Sequence, residues 1–203
     1  MVQEIQPIIT YVILGLTCLT SYKAFEDPQL KQNLLFNAYA IKHRNEVYRL
    51  FSHSLIHADW MHLIFNSIVL YSFGQSVELE FVNHFGLLKG RVNYFLLYVG
   101  AIVVSSLYSY IKHQDNMYYN SLGASGATSA VLYSSIIIFP LHEIYFLPGW
   151  QVGILYLMYS HYMAKKGADN IGHDAHISGA LFGLGLTIFY NPDYFFNFFI
   201  KVF

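Results

Sequence analysis

The sequence predicts an all-α membrane protein: a bundle of six transmembrane helices with a large, partly helical interfacial loop between the first and second. Composition is the first observation. Of 203 residues, 55% are hydrophobic and only 11% charged, where soluble domains carry about a quarter charged residues. The second is patterning. Six stretches of 18 or more residues contain no Asp, Glu, Lys or Arg: 5–22, 60–77, 92–111, 116–142, 144–164 and 175–192. A spanning helix needs about 20 mainly apolar residues. The third is what lies between them: short polar connectors such as "EDPQLKQN" and "AKKGADN", without the short alternating segments of a β-barrel. Backbone groups in lipid must be satisfied internally, which leaves helices.

The chain is read as one domain, 1–203, with spans near 5–22, 60–80, 92–112, 125–142, 144–164 and 175–192 and both termini on the same side. The first span follows "MVQEIQPIIT", which has no Lys or Arg ahead of its apolar run. That is unlike a cleavable signal peptide, so the segment is expected to be retained. Cys18, the lone cysteine, can form no intrachain disulfide and reads as a small apolar filler. The connector from Lys23 to Asp59 contains "LLFNAYAIKHRNEVYRLFSHSLIHADW". Its aromatic and aliphatic content predicts short helices lying at the membrane interface. The second span opens with His62 and Asn66, four apart and so on one helical face. The third is featureless. The fourth begins at "GASGA", around Ser125. The fifth carries "LPGW" (Leu147 to Trp150), read as a loosening point within a helix. The sixth repeats small residues at Ala175, Gly179 and Gly183, the spacing that lets helix backbones approach closely. Gly123, Gly126, Ala127 and Ala130 line the head of the fourth in the same way.

Polar residues within such spans are costly and face the bundle interior. His62, Asn66 and His176 are therefore expected to point at one another or at a wet cavity, and close approach of the fourth and sixth helices would bring Ser125 beside His176. Taken singly, each has an ordinary reading as packing or a satisfied polar group. Together they fill the roles of acyl transfer. Ser125 is a nucleophile that needs a base, and His176 is a base suited to neutral pH. Backbone N–H groups at the helix start, with His62 and Asn66, are donors for an oxyanion. Asp174 lies two residues from His176, on a different helical face, so the reading is a dyad. A net charge of -1 with no basic stripe argues against nucleic acid as a partner. Ten histidines invite a metalloenzyme reading, but only His53 and His57 have suitable spacing, and no HExxH string exists. No metal and no cofactor are expected. A transporter would not need Ser125.

The segments "YRLFSHSLIHADWMHLIFN", "GASGA" and "GHDAHISGALFG", in that order, resemble three motifs of the rhomboid family of intramembrane serine proteases. They look like its arginine-and-histidine approach to helix two, its Gly-x-Ser-Gly nucleophile motif and its histidine-bearing, glycine-spaced sixth helix. The resemblance runs from about Gln3 to Pro192 and implies a compact six-helix bacterial-type protease. By position it makes Ser125 the nucleophile, His176 the base, and His62 and Asn66 oxyanion donors with the Ser125 N–H. Gly123 and Gly126 would frame the site, Gly179 and Gly183 would pack helix six on helix four, and Arg49, His53 and His57 would organise the first loop. Two positions depart from the family pattern. Tyr48 precedes Arg49 where Trp is usual, and Ser129 stands four after the nucleophile where many members carry an aromatic residue beneath the base. The resemblance further implies single-span membrane proteins as substrates within a lipid bilayer, cut near the outer face, and an N-terminus in the cytoplasm of a bacterial inner-membrane protein. Lysine and arginine counts alone point the other way. With that orientation Lys89, Arg91 and Lys201 face the cytoplasm, against Lys23, Lys31, Lys42, Arg44, Arg49, Lys112, Lys165 and Lys166 outside. The alternative within the same resemblance is a weak or inactive relative that binds membrane clients. Oligomeric state is not specified by the sequence.

Overall fold

A computed structural model describes residues 5–166 and 172–203; part of the connector "AKKGADN" and the first four residues lie outside them. Among the described residues the order is α1 (Ile8–Glu26), α2 (Pro28–Leu34), α3 (Ala38–Arg44), α4 (Arg49–Ser52), a 3-10 turn (His53–Leu55), α5 (Trp60–Phe85) and α6 (Leu87–His113). There follow α7 (Ser125–Ile138), a two-residue hairpin of β1 (Glu143–Ile144) and β2 (Leu147–Pro148), α8 (Gly149–Lys166), α9 (His173–Tyr190) and α10 (Asp193–Val202). Two of these helices, α1 and α6, are long and apolar enough to cross a membrane by length and composition.

The short helices of the first connector start where their side chains dictate. Asp27 accepts from the N–H groups of Gln29 and Leu30, with Pro28 in the first turn. Asn37 caps α3 through Ala40 N–H at 2.7 Å, and α3 ends on Asn45 in the left-handed region. Asp59 caps α5 by accepting from His62 N–H at 2.8 Å. α1 is capped from elsewhere in the chain. Glu78 of α5, fully buried, accepts from the N–H groups of Ile9 (3.0 Å) and Thr10 (2.8 Å) and from the Thr10 hydroxyl. A carboxylate at a helix N-terminus satisfies orphan donors and complements the dipole.

α7 is the central element. All of its residues except Ser125 and Leu132 are buried, and it packs chiefly on α9 and also on α5 and α6. Small residues make this possible. A Cβ on Gly179 would lie 2.1 Å from the Gly126 carbonyl oxygen, and one on Gly183 would lie 2.2 Å from that of Ala130. Close approach then admits polar bonds across the seam: Ser134 Oγ donates to the Gly183 carbonyl at 3.2 Å, and the Thr187 hydroxyl donates to Ser134 at 2.8 Å.

Several boundaries differ from those the uncharged stretches predict. The fourth helix stops at Ile138 rather than 142, and the fifth begins at Gly149 rather than 144. Pro148 has no N–H to donate, and the residue before a proline is driven to extended backbone. Tyr145, with φ 60°, turns the chain instead, and "LPGW" is a strand end and helix start rather than a kink. α5 and α6 run past their predicted ends, to Phe85 and from Leu87, because Glu78 is satisfied by capping α1 and Lys89 and Arg91 fall in the first turns of α6. The sixth helix covers 173–190 rather than 175–192. α10, starting just after Pro192, was not foreseen. Cys18 is exposed, its Sγ 3.8 Å from Ser67 Oγ.

Candidate active site

Ser125 opens α7, half-buried, after a turn in which Gly123 has φ +115°. Only glycine takes that backbone readily, and its missing side chain is also needed: a Cβ there would stand 2.6 Å from Cε1 of the His62 ring. The segment before Ser125 is fixed at several points by the first connector. Phe36 and Ser121 exchange both backbone hydrogen bonds, at 3.0 and 3.2 Å. The Asn37 amide donates to the carbonyls of Met117 (3.1 Å) and Tyr119 (3.3 Å) and to Asn120 Oδ1 (3.0 Å).

His53 and His57 complete that attachment. The Gly123 N–H donates to the His53 carbonyl at 2.9 Å, and the Ala124 N–H to His57 Nε2 at 3.4 Å. The His57 tautomer follows from its neighbours. Ser21 Oγ donates to the Leu55 carbonyl, so it accepts from His57 Nδ1–H at 3.0 Å, leaving Nε2 as the acceptor for Ala124. His53 Nε2 shares a hydrogen bond with Ser106 Oγ at 3.0 Å. Both rings are neutral. Burial pushes His57 down to about 3, with His62 adding to the effect and Asp59 opposing it. Burial pushes His53 down to about 4 against the opposing Leu50 carbonyl. Arg49 is buried one turn earlier. It donates to the carbonyls of Gln32 (3.0 Å) and Leu35 (2.8 Å) and pairs with Glu46, tying α2 to α4.

His62 and Asn66 lie one turn apart on α5. Ala58 N–H points at His62 Nδ1 at 3.5 Å, the arrangement that leaves the proton on Nε2, the nitrogen nearer Gly123. Asn66 is buried, and its amide orientation is set on both sides: Nδ2 donates to the His62 carbonyl at 2.9 Å, and Oδ1 accepts from the Thr128 hydroxyl at 2.9 Å. The second Asn66 N–H remains as a donor. Thr128 was not singled out in the sequence. Its position three after the serine carries no signal that separates it from helix packing.

His176, half-buried, is in the first turn of α9. The seam brings its turn to the Ser125 turn: a Cβ on Gly126 would meet the Ala175 carbonyl at 3.4 Å, beside the Gly126–Gly179 approach. Two rings border it. His173 stands edge-on at 5.7 Å, and Tyr156 of α8 is stacked at 6.0 Å between centroids with planes 23° apart. Asp174 is exposed. The structure therefore gathers Ser125, Gly123, Gly126, His62, Asn66, His176 and Gly179 around one end of α7. Gly183 and Arg49 lie farther off, on the seam and in the first connector. No cluster of three or more His, Cys, Asp or Glu placed to hold a metal occurs among the described residues.

A mainly helical bundle here sets a glycine-flanked serine turn against a histidine turn, the arrangement that the three sequence motifs imply. The Rhomboid domain matches residues 44–192. Over 182 residues the chain is 30% identical to the Rhomboid protease GlpG of Haemophilus influenzae, covering 85% of this chain and 86% of that protein. Over 188 residues it is 26% identical to RHOMBOID-like protein 12, mitochondrial, of Arabidopsis thaliana, covering 83% of this chain and 55% of that one. The chain thus spans about half the length of the plant relative. The chain belongs to the rhomboid family, whose members are membrane proteins.

Proposed function

We propose that the protein is an intramembrane serine endopeptidase that cuts single-span membrane proteins through a Ser125–His176 dyad. The observation that carries this reading is the side-chain-free contact of Gly126 with Gly179, with Ala175 O against Gly126. It sets the turn bearing a half-exposed serine against the turn bearing a half-exposed histidine. His176 takes the Ser125 proton as Oγ attacks the scissile carbonyl, then hands it to the departing amine; water repeats the sequence on the acyl-serine. The oxyanion is received by the Ser125 N–H, Asn66 Nδ2–H and His62 Nε2–H, whose tautomer and amide orientation are already set.

In this reading residues 1–203 form one domain, and α1, α5, α6, α7, α8 and α9 are the six spans, with α2–α4 at the interface. α7, at 14 residues, is about 21 Å long, shorter than the roughly 30 Å hydrocarbon core. Ser125 then lies below the membrane surface, reached by water from the side of the first connector, which is the outer face. The N-terminus is cytoplasmic, in a bacterial inner membrane. The excess of cations on the outer side fits a folded loop. Lys42 pairs with Asp115 at 2.9 Å, Lys31 donates to the Ala58 carbonyl at 3.0 Å, and Arg49 is buried against Glu46, so these charges serve local structure.

Purified protein in detergent with a labelled single-span substrate tests the reading, comparing wild type, Ser125→Ala, His176→Ala and a chelator arm. Cleavage lost in both variants and untouched by chelator is the expected result. Cleavage that survives Ser125→Ala overturns it. Stable substrate capture without cleavage by the wild type points to the client-binding alternative.

A further inference from the structure

Ser129 sits one turn after Ser125 on α7 and carries no ring to lie under the histidine. The ring against His176 arrives from a different helix. Tyr156 of α8 stacks on it, with centroids 6.0 Å and planes 23° apart. The Tyr156 hydroxyl is 3.1 Å from Ser129 Oγ, and Ser129 is itself buried. Tyr133, one turn further along α7, lies tilted to the tyrosine with centroids 6.2 Å apart, and its hydroxyl donates to the Gly153 carbonyl of α8. We propose that Tyr156 is the positioning residue for His176, held in place by the Ser129 hydroxyl, so that the base is oriented from α8 rather than from the helix bearing the nucleophile. This rests on the reading of Ser125 and His176 as the dyad.

The physical need is simple. An imidazole in a first helical turn can rotate about two side-chain bonds, and proton transfer demands a reach of roughly 3 Å in one orientation. A flat ring on one face restricts that rotation. A ring is useful only if it is fixed itself. The Ser129 bond supplies that, and a smaller side chain at 129 is what makes room for the tyrosine. There is a consequence for α8. α8 buries little of itself: among its described residues only Gly149, Gly153 and Ser160 are buried. Undocking α8 from α7 and α9 takes this ring away from His176.

The test compares Tyr156→Leu, Tyr156→Phe, Ser129→Ala, S129A/Y156F and the swap S129Y/Y156L with wild type, Ser125→Ala and His176→Ala, all purified in detergent. The readouts are kcat, KM, the pH profile of kcat and thermal midpoint. Tyr156→Leu should lower kcat about tenfold or more with KM within about twofold, part of what a positioned base contributes, and should move the acidic limb of the pH profile. The swap should recover most of the loss, since it returns a ring to the same site from α7. Tyr156→Phe and Ser129→Ala should each cost a few-fold, and Ser129→Ala should add nothing to Tyr156→Phe, because the bond it breaks is already gone. Unchanged kcat and pH profile in Tyr156→Leu overturns the inference. If that variant does not fold, full activity in both Tyr156→Phe and Ser129→Ala overturns it. Cleavage surviving Ser125→Ala sinks the dyad reading instead; loss in Ser125→Ala beside normal Tyr156 variants sinks this inference alone.

Discussion

In the proposed reading, with Asn66 an oxyanion donor, Thr128 governs the chemistry without taking part in it. Its hydroxyl holds Asn66 Oδ1 at 2.9 Å, and a terminal amide turns easily unless both ends are bonded. Thr128→Val keeps the shape and removes the donor. It should lower kcat about tenfold while KM stays level, less than the hundredfold or more expected from deleting an oxyanion donor outright; steady-state kinetics on a single-span substrate would decide. An unchanged kcat would show that Asn66 is oriented by its His62 carbonyl bond alone. Gly123 belongs at the same scale. Gly123→Ala forces a side chain onto φ +115° and pushes a methyl to 2.6 Å from the His62 ring, a strain of roughly 1–3 kcal/mol that should fall more heavily on activity than on thermal midpoint. Neither residue's role could be read from the sequence with this resolution. Gly123 was visible as a glycine beside a serine, but the ring it makes room for is 61 positions earlier, and nothing in a linear chain reports that approach.

At the level of elements, two glycines of α9 have opposite environments. A Cβ at Gly179 would sit 2.1 Å from backbone of α7, which has no flexible end to move aside, while Gly185 has nothing within 4 Å. Gly179→Ala should therefore part the helices and cost about 3 kcal/mol or more, at or beyond the usual range for overpacking. Gly185→Ala should be neutral or stabilising by up to about 1 kcal/mol, from helix propensity. Thermal unfolding in mixed micelles compares the two directly, and similar losses would refute the seam as the main joint of the bundle. Such elements were legible where their signal is local. Small residues every four positions mark a close helix face, and uncharged stretches mark the long helices to within a few residues. What escaped depends on distant partners or on turn chemistry. Glu78 ends the uncharged stretch 60–77 while its helix runs on, and it is buried because it caps α1. The hairpin at 143–148 interrupted an apolar run whose composition gave no reason to stop, apart from Pro148 and a left-handed Tyr145 that composition does not reveal.

For the molecule as a whole, the two neutral histidines join the first connector to the Ser125 turn, which makes global stability depend on pH. His53 and His57 have their ordinary value near 6.5 in the unfolded chain and are pushed down to about 4 and about 3 when folded. Between those values the unfolded state binds protons that the folded state does not. Stability therefore rises with pH through this window and is complete above about 6.5; on acidification it is lost progressively down to about 4 for His53 and about 3 for His57. Each pH unit within the window is worth up to about 1.4 kcal/mol per histidine, so the two together cost several kcal/mol by pH 4. The loss has a structural route. A protonated His57 can no longer accept the Ala124 N–H, and the opposing influence of Asp59 ranks below burial and His62. Thermal midpoints in detergent measured from pH 7.5 to 4 should fall steeply below pH 6.5. In His53→Asn and His57→Asn, whose side chains do not titrate in this range, the midpoint should be lower at neutral pH but flatter in acid. Equal pH slopes in wild type and the double variant would mean that other groups, and not the histidines fastening the connector, set the acid limit of the fold.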